Sequence, residues 1–134
     1  MTSVYRYFLV TMLLFGATSA FAQEAEIIDL VEEALKSSSS REISKHLHNK
    51  VEIKLDGERN EYSKNQAEVV LKQFFQDNTA ESCEFVHQGN NNAGGIIYAI
   101  GSYQTASVSY RVVVRAKKFS KEFKVYRLEF TKER

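Results

Sequence analysis

The segment Phe85–Tyr103, FVHQGNNNAGGIIYAIGSY, decides the predicted fold of this chain. Two apolar stretches flank Gly89–Gly95, a polar segment rich in glycine and asparagine. A segment of this kind between two strand-like stretches is typical of a β-hairpin. A phosphate-binding glycine loop would be followed by a helix N-terminus, whereas this segment is followed by a second strand. The sequence therefore predicts a structural hairpin and not a phosphate site.

The residues around and after this hairpin have the two-residue period of β-strands. Alternating apolar side chains predict an antiparallel meander with one buried face. On the last strand, this alternation places Tyr126 with the buried side chains and Val125 on the polar face. Gly101, inside a strand, indicates a bulge or a bend. The predicted strands are Cys83–Gln88, Ile96–Thr105, Val108–Lys118 and Phe123–Thr131.

Helical periodicity and capping signals dominate the sequence upstream of the hairpin. One apolar face and acidic residues in the first turns predict a helix over Glu24–Lys36. Two capping boxes then predict two further helices. The first runs from the Ser39–Glu42 box to about Leu47, the second from the Ser63–Gln66 box to Asp77-Asn78, and strict alternation predicts a strand at Val51–Leu55 between them.

The N-terminus has the three parts of a cleavable signal peptide. Arg6 supplies the positive charge, residues 8–15 are apolar, and Ala20-Phe21-Ala22 is a small-residue cleavage site. The apolar run is shorter than the roughly 20 residues that a membrane-spanning helix needs. We therefore expect cleavage after Ala22. Residues 23–134 would then form a single domain, periplasmic or secreted, without a stable membrane anchor.

The charges of the predicted mature chain are balanced, because removal of Arg6 leaves 17 basic residues against 17 acidic ones. A nucleic-acid-binding domain is typically basic, so this balance argues against that class. The single cysteine, Cys83, cannot form an internal disulfide and is expected to be a buried small apolar residue, with a reactive or dimer-forming thiol as the alternative. A basic stripe on the outer sheet face would meet an anionic envelope surface or an acidic partner, or would only aid solubility. It consists of Arg111, Arg115, Lys117 and Arg127.

No pattern in the sequence specifies a metal or catalytic site, and no cofactor is expected. His46-Leu47-His48 would direct two imidazoles to one side of a strand, but it lies where a helix is predicted to end, so the two rings diverge. Cys83 and His87 share a strand face. Four residues at about 3.3 Å each separate them by roughly 13 Å, which is too far for a thiolate–imidazole pair.

Helices followed by a meander indicate an α+β fold, with N-terminal helices packed on a curved, mainly antiparallel sheet. We expect the sheet to wrap around the third helix and to leave a conical cavity at its mouth. The chain resembles the nuclear transport factor 2-like superfamily, a cystatin-like α+β cone. More closely, it resembles a family of small secreted proteins, mostly from Bacteroidetes, catalogued as domain of unknown function 4783. The residues that carry the resemblance are Tyr62–Glu68 with Phe74-Phe75, then Phe85–Gly89, Tyr98–Tyr103 and Ser109–Val112.

This resemblance implies the cone fold and export, and it brings no established activity. The wider superfamily includes isomerases, dehydratases and non-catalytic binding modules, so the fold alone does not choose among them.

Four residues are predicted to line a ligand pocket: His87, Tyr98, Tyr110 and Tyr126. His87 is the polar group among them best suited to acid–base chemistry, and the tyrosines alternatively belong to the core. Our leading hypothesis is a non-enzymatic module of the cell envelope that binds a small apolar or amphipathic ligand, or a protein partner, through the cone mouth or the sheet face. The alternatives are an isomerase- or dehydratase-like enzyme and a structural envelope component. Val113 and Val125 on the sheet face suggest a homodimer.

Overall fold

The computed structural model describes residues 23–24, 26–91 and 95–133. The predicted signal segment, residues 1–22, and the middle of the predicted turn, residues 92–94, lie outside the described residues. The first helix, α1, covers residues 26–36. Within the described ranges, no helix is both long enough and apolar enough to cross a membrane. The other elements are α2 (Ser40–Ser44), β1 (Leu47–Leu55), β2 (Glu58–Ser63), α3 (Lys64–Asp77), β3 (Ser82–Asn91), β4 (Ile96–Gln104), β5 (Ser109–Phe119) and β6 (Glu122–Lys132).

The strands form one six-stranded sheet in the order β2-β1-β6-β5-β4-β3. β1 runs parallel to β6, and all other neighbouring strands are antiparallel. The helices pack on one side of this curved sheet, its inner face, and the other side is its outer face. The predicted α+β fold class is therefore confirmed.

Helix α3 begins at a complete capping box. The Ser63 hydroxyl accepts the Gln66 N–H at 3.2 Å, and the Gln66 side chain accepts the Ser63 N–H at 3.1 Å. These two bonds satisfy amides that a helix otherwise leaves without partners. The buried face of α3 contains Ala67, Leu71, Phe74 and Phe75. The helix predicted from this box is therefore confirmed.

Helix α2 is shorter than predicted, because the expected helical residue Leu47 starts strand β1 instead. Leu47 is buried and pairs with Val125 of β6, whose N–H donates to the His46 carbonyl at 2.7 Å. Pairing with a distant strand thus overrides the local helical pattern. The same contact places the start of β1 at Leu47, four residues before the predicted start at Val51.

The β3–β4 hairpin is longer than predicted, because Gly89–Asn91 belong to β3 and pair with residues of β4. Gly89 lies opposite Tyr98, and a Cβ atom at position 89 would overlap the Tyr98 ring. The glycine therefore provides space for an aromatic side chain across the ladder, and the turn itself is shorter than Gly89–Gly95.

Gly101 lies at the predicted irregularity. The register of β3 against β4 shifts between Phe85, which pairs with Gly101, and His87, which pairs with Ile100. A Cβ atom at position 101 would overlap the Glu84 carbonyl. The close approach of two backbones explains why this strand interior contains a glycine.

The predicted alternation on β6 is wrong at its start. The β5–β6 register shifts between Arg115, opposite Arg127, and Ala116, opposite Val125, so that Tyr126 is an inserted residue. Val125 consequently lies fully buried in the core, and Tyr126 is only half-buried. Val125 therefore cannot contribute to a contact through the outer face.

Aromatic rings fill the space between α3 and the inner face, where a conical cavity was expected. Tyr103, Tyr110 and Phe130 are among the largest fully buried side chains. Phe74 of α3 lies 4.6 Å from the Phe130 ring and 5.3 Å from the Tyr110 ring, measured between centroids. The centre of the domain is thus an aromatic core.

Candidate functional site

The two buried tyrosines of this core have their hydroxyls bound to one residue, Asn78, just after α3. Tyr103 donates to the Asn78 carbonyl at 2.6 Å, and Tyr110 donates to the Asn78 side-chain oxygen at 2.8 Å. The Asn78 side-chain amide donates in turn to the Phe74 carbonyl at 3.1 Å. Burial raises the pKa of both phenols, with a smaller contribution from the Asp56 charge at Tyr110. These hydroxyls are therefore structural hydrogen-bond donors in the core.

The structure does not bring the four predicted pocket residues together. Tyr110 faces the inner side of the sheet and is buried. His87 and Tyr98 lie on the outer face, where His87 is exposed and Tyr98 has 39% of its surface exposed. Tyr126 lies at the β6 bulge. A ligand-binding role for any of these residues stays a prediction.

The same placement bears on the isomerase-like alternative, which requires a base and a phenol that face one cavity. The sheet separates the exposed His87 imidazole from the Tyr110 hydroxyl. The Tyr110 hydroxyl already donates to Asn78. The His87 imidazole and the Tyr110 hydroxyl therefore do not face a common cavity that could hold a substrate.

The two other histidines lie at the junction of α2 and β1. His48 stacks on Phe119, with ring centroids 3.7 Å apart and an interplanar angle of 7°. Burial, followed by the charge of Lys124, lowers the pKa of the half-buried His46. Among the residues that the structure describes, no group of three His, Cys, Asp or Glu side chains is placed to hold a metal ion.

Cys83 faces the core from β3. It is buried, and burial together with the nearby Glu32 carboxylate raises the pKa of its thiol to about 12. The thiolate is the reactive form of cysteine, so a raised pKa suppresses reactivity. The Glu32 carboxylate also accepts the Phe85 N–H at 2.9 Å, where β3 forms the edge of the sheet.

A groove of about 350 Å³ lies between α1, the end of α2 and the β5–β6 turn; we call it the α1 groove. Its apolar part consists of Ile27 and Leu30 from α1 and Phe123 from β6, with Leu30 42% exposed. Sequence patterns did not predict this site, because three separate segments contribute to it. Its polar lining residues are Gln23, Glu26, Lys45, His46, Lys121, Glu122 and Lys124.

A smaller cavity of about 220 Å³ lies on the other side of α1. Glu24 and, from α1, Ile28 line it together with Gly89 and Tyr98 of the β3–β4 hairpin. Of the four predicted pocket residues, Tyr98 is thus the one that lines either of these two cavities. The first turns of α1 separate this cavity from the α1 groove.

The outer face combines paired and unpaired charges. Across the neighbouring strands β2, β1 and β6, Glu52 binds Arg59 at 2.9 Å and Arg127 at 3.1 Å, and Arg59 also binds Glu129 at 2.9 Å. Val113, expected to interrupt this face, is half-buried there. A homodimer through this face stays a prediction.

The family model described as domain of unknown function (DUF4783) matches residues 28–131. The chain belongs to this family. DUF4783 proteins of known structure include one from Bacteroides ovatus, which is 26% identical with a TM-score of 0.74 over 78% of this chain and 94% of that chain. Another, from Bacteroides uniformis, is 24% identical with a TM-score of 0.75 over 79% of this chain and 96% of that one.

The fold also matches that of nuclear transport factor 2-like proteins. A protein of unknown function from Silicibacter pomeroyi is 7% identical, with a TM-score of 0.61 over 87% of this chain and 98% of that chain. At this identity the likeness concerns the fold alone. No protein with a curated description matches the sequence significantly. The chain is therefore a DUF4783 domain with a nuclear transport factor 2-like fold.

Proposed function

We propose that this DUF4783 protein is an exported, non-enzymatic binding module of the cell envelope, and that it holds a small amphipathic ligand with an anionic head group in the α1 groove. The observation that carries the proposal is the lining of this groove, where apolar side chains lie beside lysines. The filled aromatic core supports a site at the surface.

The apolar part of the groove suits the hydrocarbon part of such a ligand. Leu30 has 42% of its surface exposed, although it lies beside the buried Ile27 and the half-buried Phe123. A groove of about 350 Å³ is within the usual size range of small-molecule sites. An aliphatic chain against Leu30 and Phe123 would remove this surface from water.

The polar part of the groove suits an anionic head group. Lys124 donates to the Lys45 carbonyl at 3.1 Å and lies 3.5 Å from Glu122, whose side chain is 75% exposed. In the described part of the chain, no acidic side chain forms an ion pair with Lys121. The lowered pKa keeps His46 neutral near pH 7, so the positive charge of the groove comes from the lysines.

A titration with dodecanoate tests this proposal on protein recovered after export. Replacing Leu30 by Gln removes apolar contact area, and we expect dodecanoate to bind about fivefold more weakly, or about 1 kcal/mol. Val69→Gln is the matched control, because Val69 is an exposed apolar residue, 68% exposed, on α3 outside the groove. Isothermal titration calorimetry measures both dissociation constants.

The head group is tested with the same protein. We expect dodecanol and dodecyltrimethylammonium to bind more weakly than dodecanoate, and Lys121→Gln to reduce that preference because it removes the unpaired cation of the groove. Equal affinity for all three compounds would show that the lysines do not select the ligand. Equal losses in Leu30→Gln and Val69→Gln would show that the ligand lies elsewhere.

A further inference from the structure

Three cationic side chains form a row on the outer face of β5. Arg111, Arg115 and Lys117 occupy outward-facing positions of the strand, all three are exposed, and the residues between them face the core or are half-buried. At about 3.3 Å per residue, this row is roughly 20 Å long. Arg127 of β6 lies directly opposite Arg115 and extends the row, with its guanidinium paired to Glu52 at 3.1 Å.

This row, with Arg127, is called the cationic strip. Within the part of the chain that the structure describes, Arg111, Arg115 and Lys117 have no ion pair or hydrogen bond through their side chains. Like charges directly opposite each other in a sheet repel, as Arg115 and Arg127 do. The Nε–H of Arg127 is buried without an acceptor. The fold alone therefore does not account for the three unpaired cations of β5.

The residues that flank the strip on β4 are apolar or uncharged. Ile96 pairs with Lys117, Tyr98 with Arg115, and Ser102 with Arg111. Tyr98 is partly exposed, and Val86 of the neighbouring β3 is 63% exposed. A row of cations beside aromatic and aliphatic side chains is the combination that suits the interface of an anionic bilayer.

We propose that the cationic strip and the adjoining outer surface of β4 dock the protein onto an anionic lipid bilayer. The chemistry that recognises this partner is the attraction of unpaired guanidinium and ammonium groups to lipid phosphates. Tyr98 would lie at the level of the head groups, as amphipathic aromatic rings do at membrane interfaces. Helix α1, which supplies apolar lining of the α1 groove, packs on the inner face, whereas the strip lies on the outer face. Lys124 of the groove pairs with Lys117 of the strip, so the two sites adjoin at this end of β5.

The test uses protein recovered after export, with its N-terminal mass measured, and two kinds of vesicle. We expect binding to vesicles that contain phosphatidylglycerol and none to phosphatidylcholine vesicles. Each basic residue near an anionic surface contributes about fivefold to affinity, so Arg115→Gln/Lys117→Gln should weaken binding about 25-fold. Raising the salt concentration should weaken binding of the unaltered protein, because ions screen these charges.

The matched control removes the same charge from the opposite side of the molecule. Arg41 and Lys72 are exposed residues on α2 and α3, and Arg41→Gln/Lys72→Gln should weaken binding less than about threefold, because these side chains face away from the bilayer. Equal losses in the two double variants would overturn the proposal, since net charge alone would then explain the binding. So would equal binding to phosphatidylcholine, or binding to polyglutamate without binding to vesicles, which would indicate an acidic protein partner.

We do not expect a loss of folding to explain weaker vesicle binding by Arg115→Gln/Lys117→Gln. Neither Arg115 nor Lys117 contributes a side-chain hydrogen bond or ion pair that the substitution would break, and a circular dichroism melt verifies the fold. If the double variant unfolds, Lys117→Gln alone should still weaken vesicle binding about fivefold, and an unchanged affinity of that single variant would count against the strip.

Discussion

Replacing Asn78 by Ala should destabilise the domain markedly, although Asn78 itself is only half-buried. Asn78 lies just after α3, yet it binds the hydroxyls of two core tyrosines, one through its carbonyl and one through its side chain. The substitution keeps the backbone carbonyl that accepts from Tyr103. It removes the acceptor of Tyr110 and the amide that donates to the Phe74 carbonyl.

The expected cost follows from the groups that lose a partner. The Tyr110 side chain is only 1% exposed, so its hydroxyl has little access to water after the change. Losing one such hydrogen bond and leaving the donor unsatisfied costs about 1–3 kcal/mol. The Phe74 carbonyl still accepts the Asn78 backbone N–H at 2.8 Å and adds little. We therefore expect a loss of about 2 kcal/mol in the free energy of unfolding.

A double-mutant cycle measured by urea unfolding tests this reasoning. Tyr110→Phe removes the donor and should cost about 1 kcal/mol, and its addition to Asn78→Ala should cost much less, because the bond is already lost. Tyr62→Phe is the control, since Tyr62 is half-buried and forms no side-chain hydrogen bond within the described residues. Additive losses from Asn78→Ala and Tyr110→Phe would refute the role of Asn78 as the partner of Tyr110.

Three further predictions concern the sheet edge and its neighbour. Gly101→Ala should cost more than about 2 kcal/mol in urea unfolding, because its Cβ would overlap the Glu84 backbone; a loss below about 0.5 kcal/mol, on the scale of an ordinary surface substitution, would refute the close approach. Glu32→Ala should speed amide hydrogen exchange at Phe85, whose N–H it caps, while unchanged exchange would show that this bond does not persist. Because the pKa of Cys83 is about 12 in the folded state and about 8.5 when unfolded, the unfolded state loses its proton first. The free energy of unfolding should therefore fall by up to about 1.4 kcal/mol for each pH unit above about pH 9. Cys83→Ala should reduce this pH dependence, which urea unfolding curves recorded between about pH 8 and 10 would measure.

Local patterns predicted much of the fold. The alternation of β5 predicted that Arg111 and Arg115 lie on the outer face, and the structure places them there. The Ser63 capping box fixed the start of α3 because both of its hydrogen bonds are local. Alternation on β4 also indicates that Tyr98, between the apolar Ile97 and Ala99, faces outward, a signal that argues against its placement in an inner pocket.

Features that depend on pairing between distant strands were not predictable. The β6 bulge arises from the register of β6 against β5. The sequence alone therefore does not show that Val125 lies on the buried face of the sheet instead of the polar face. Leu47 joins the sheet because Val125 pairs with it. The α1 groove likewise requires the β5–β6 turn to lie beside α1, which no local pattern specifies. The basic residues of the cationic strip, in contrast, were already predicted from the sequence to lie together on the outer sheet face.

Native mass spectrometry of the protein recovered from its own cell envelope tests the central claim most directly. We predict a retained small molecule with an anionic head group and an apolar body, present in the unaltered protein and in Val69→Gln but depleted in Leu30→Gln. Repeated spectra of empty protein, or the same retained mass at the same occupancy in Leu30→Gln, would contradict the proposal that the α1 groove is a ligand site.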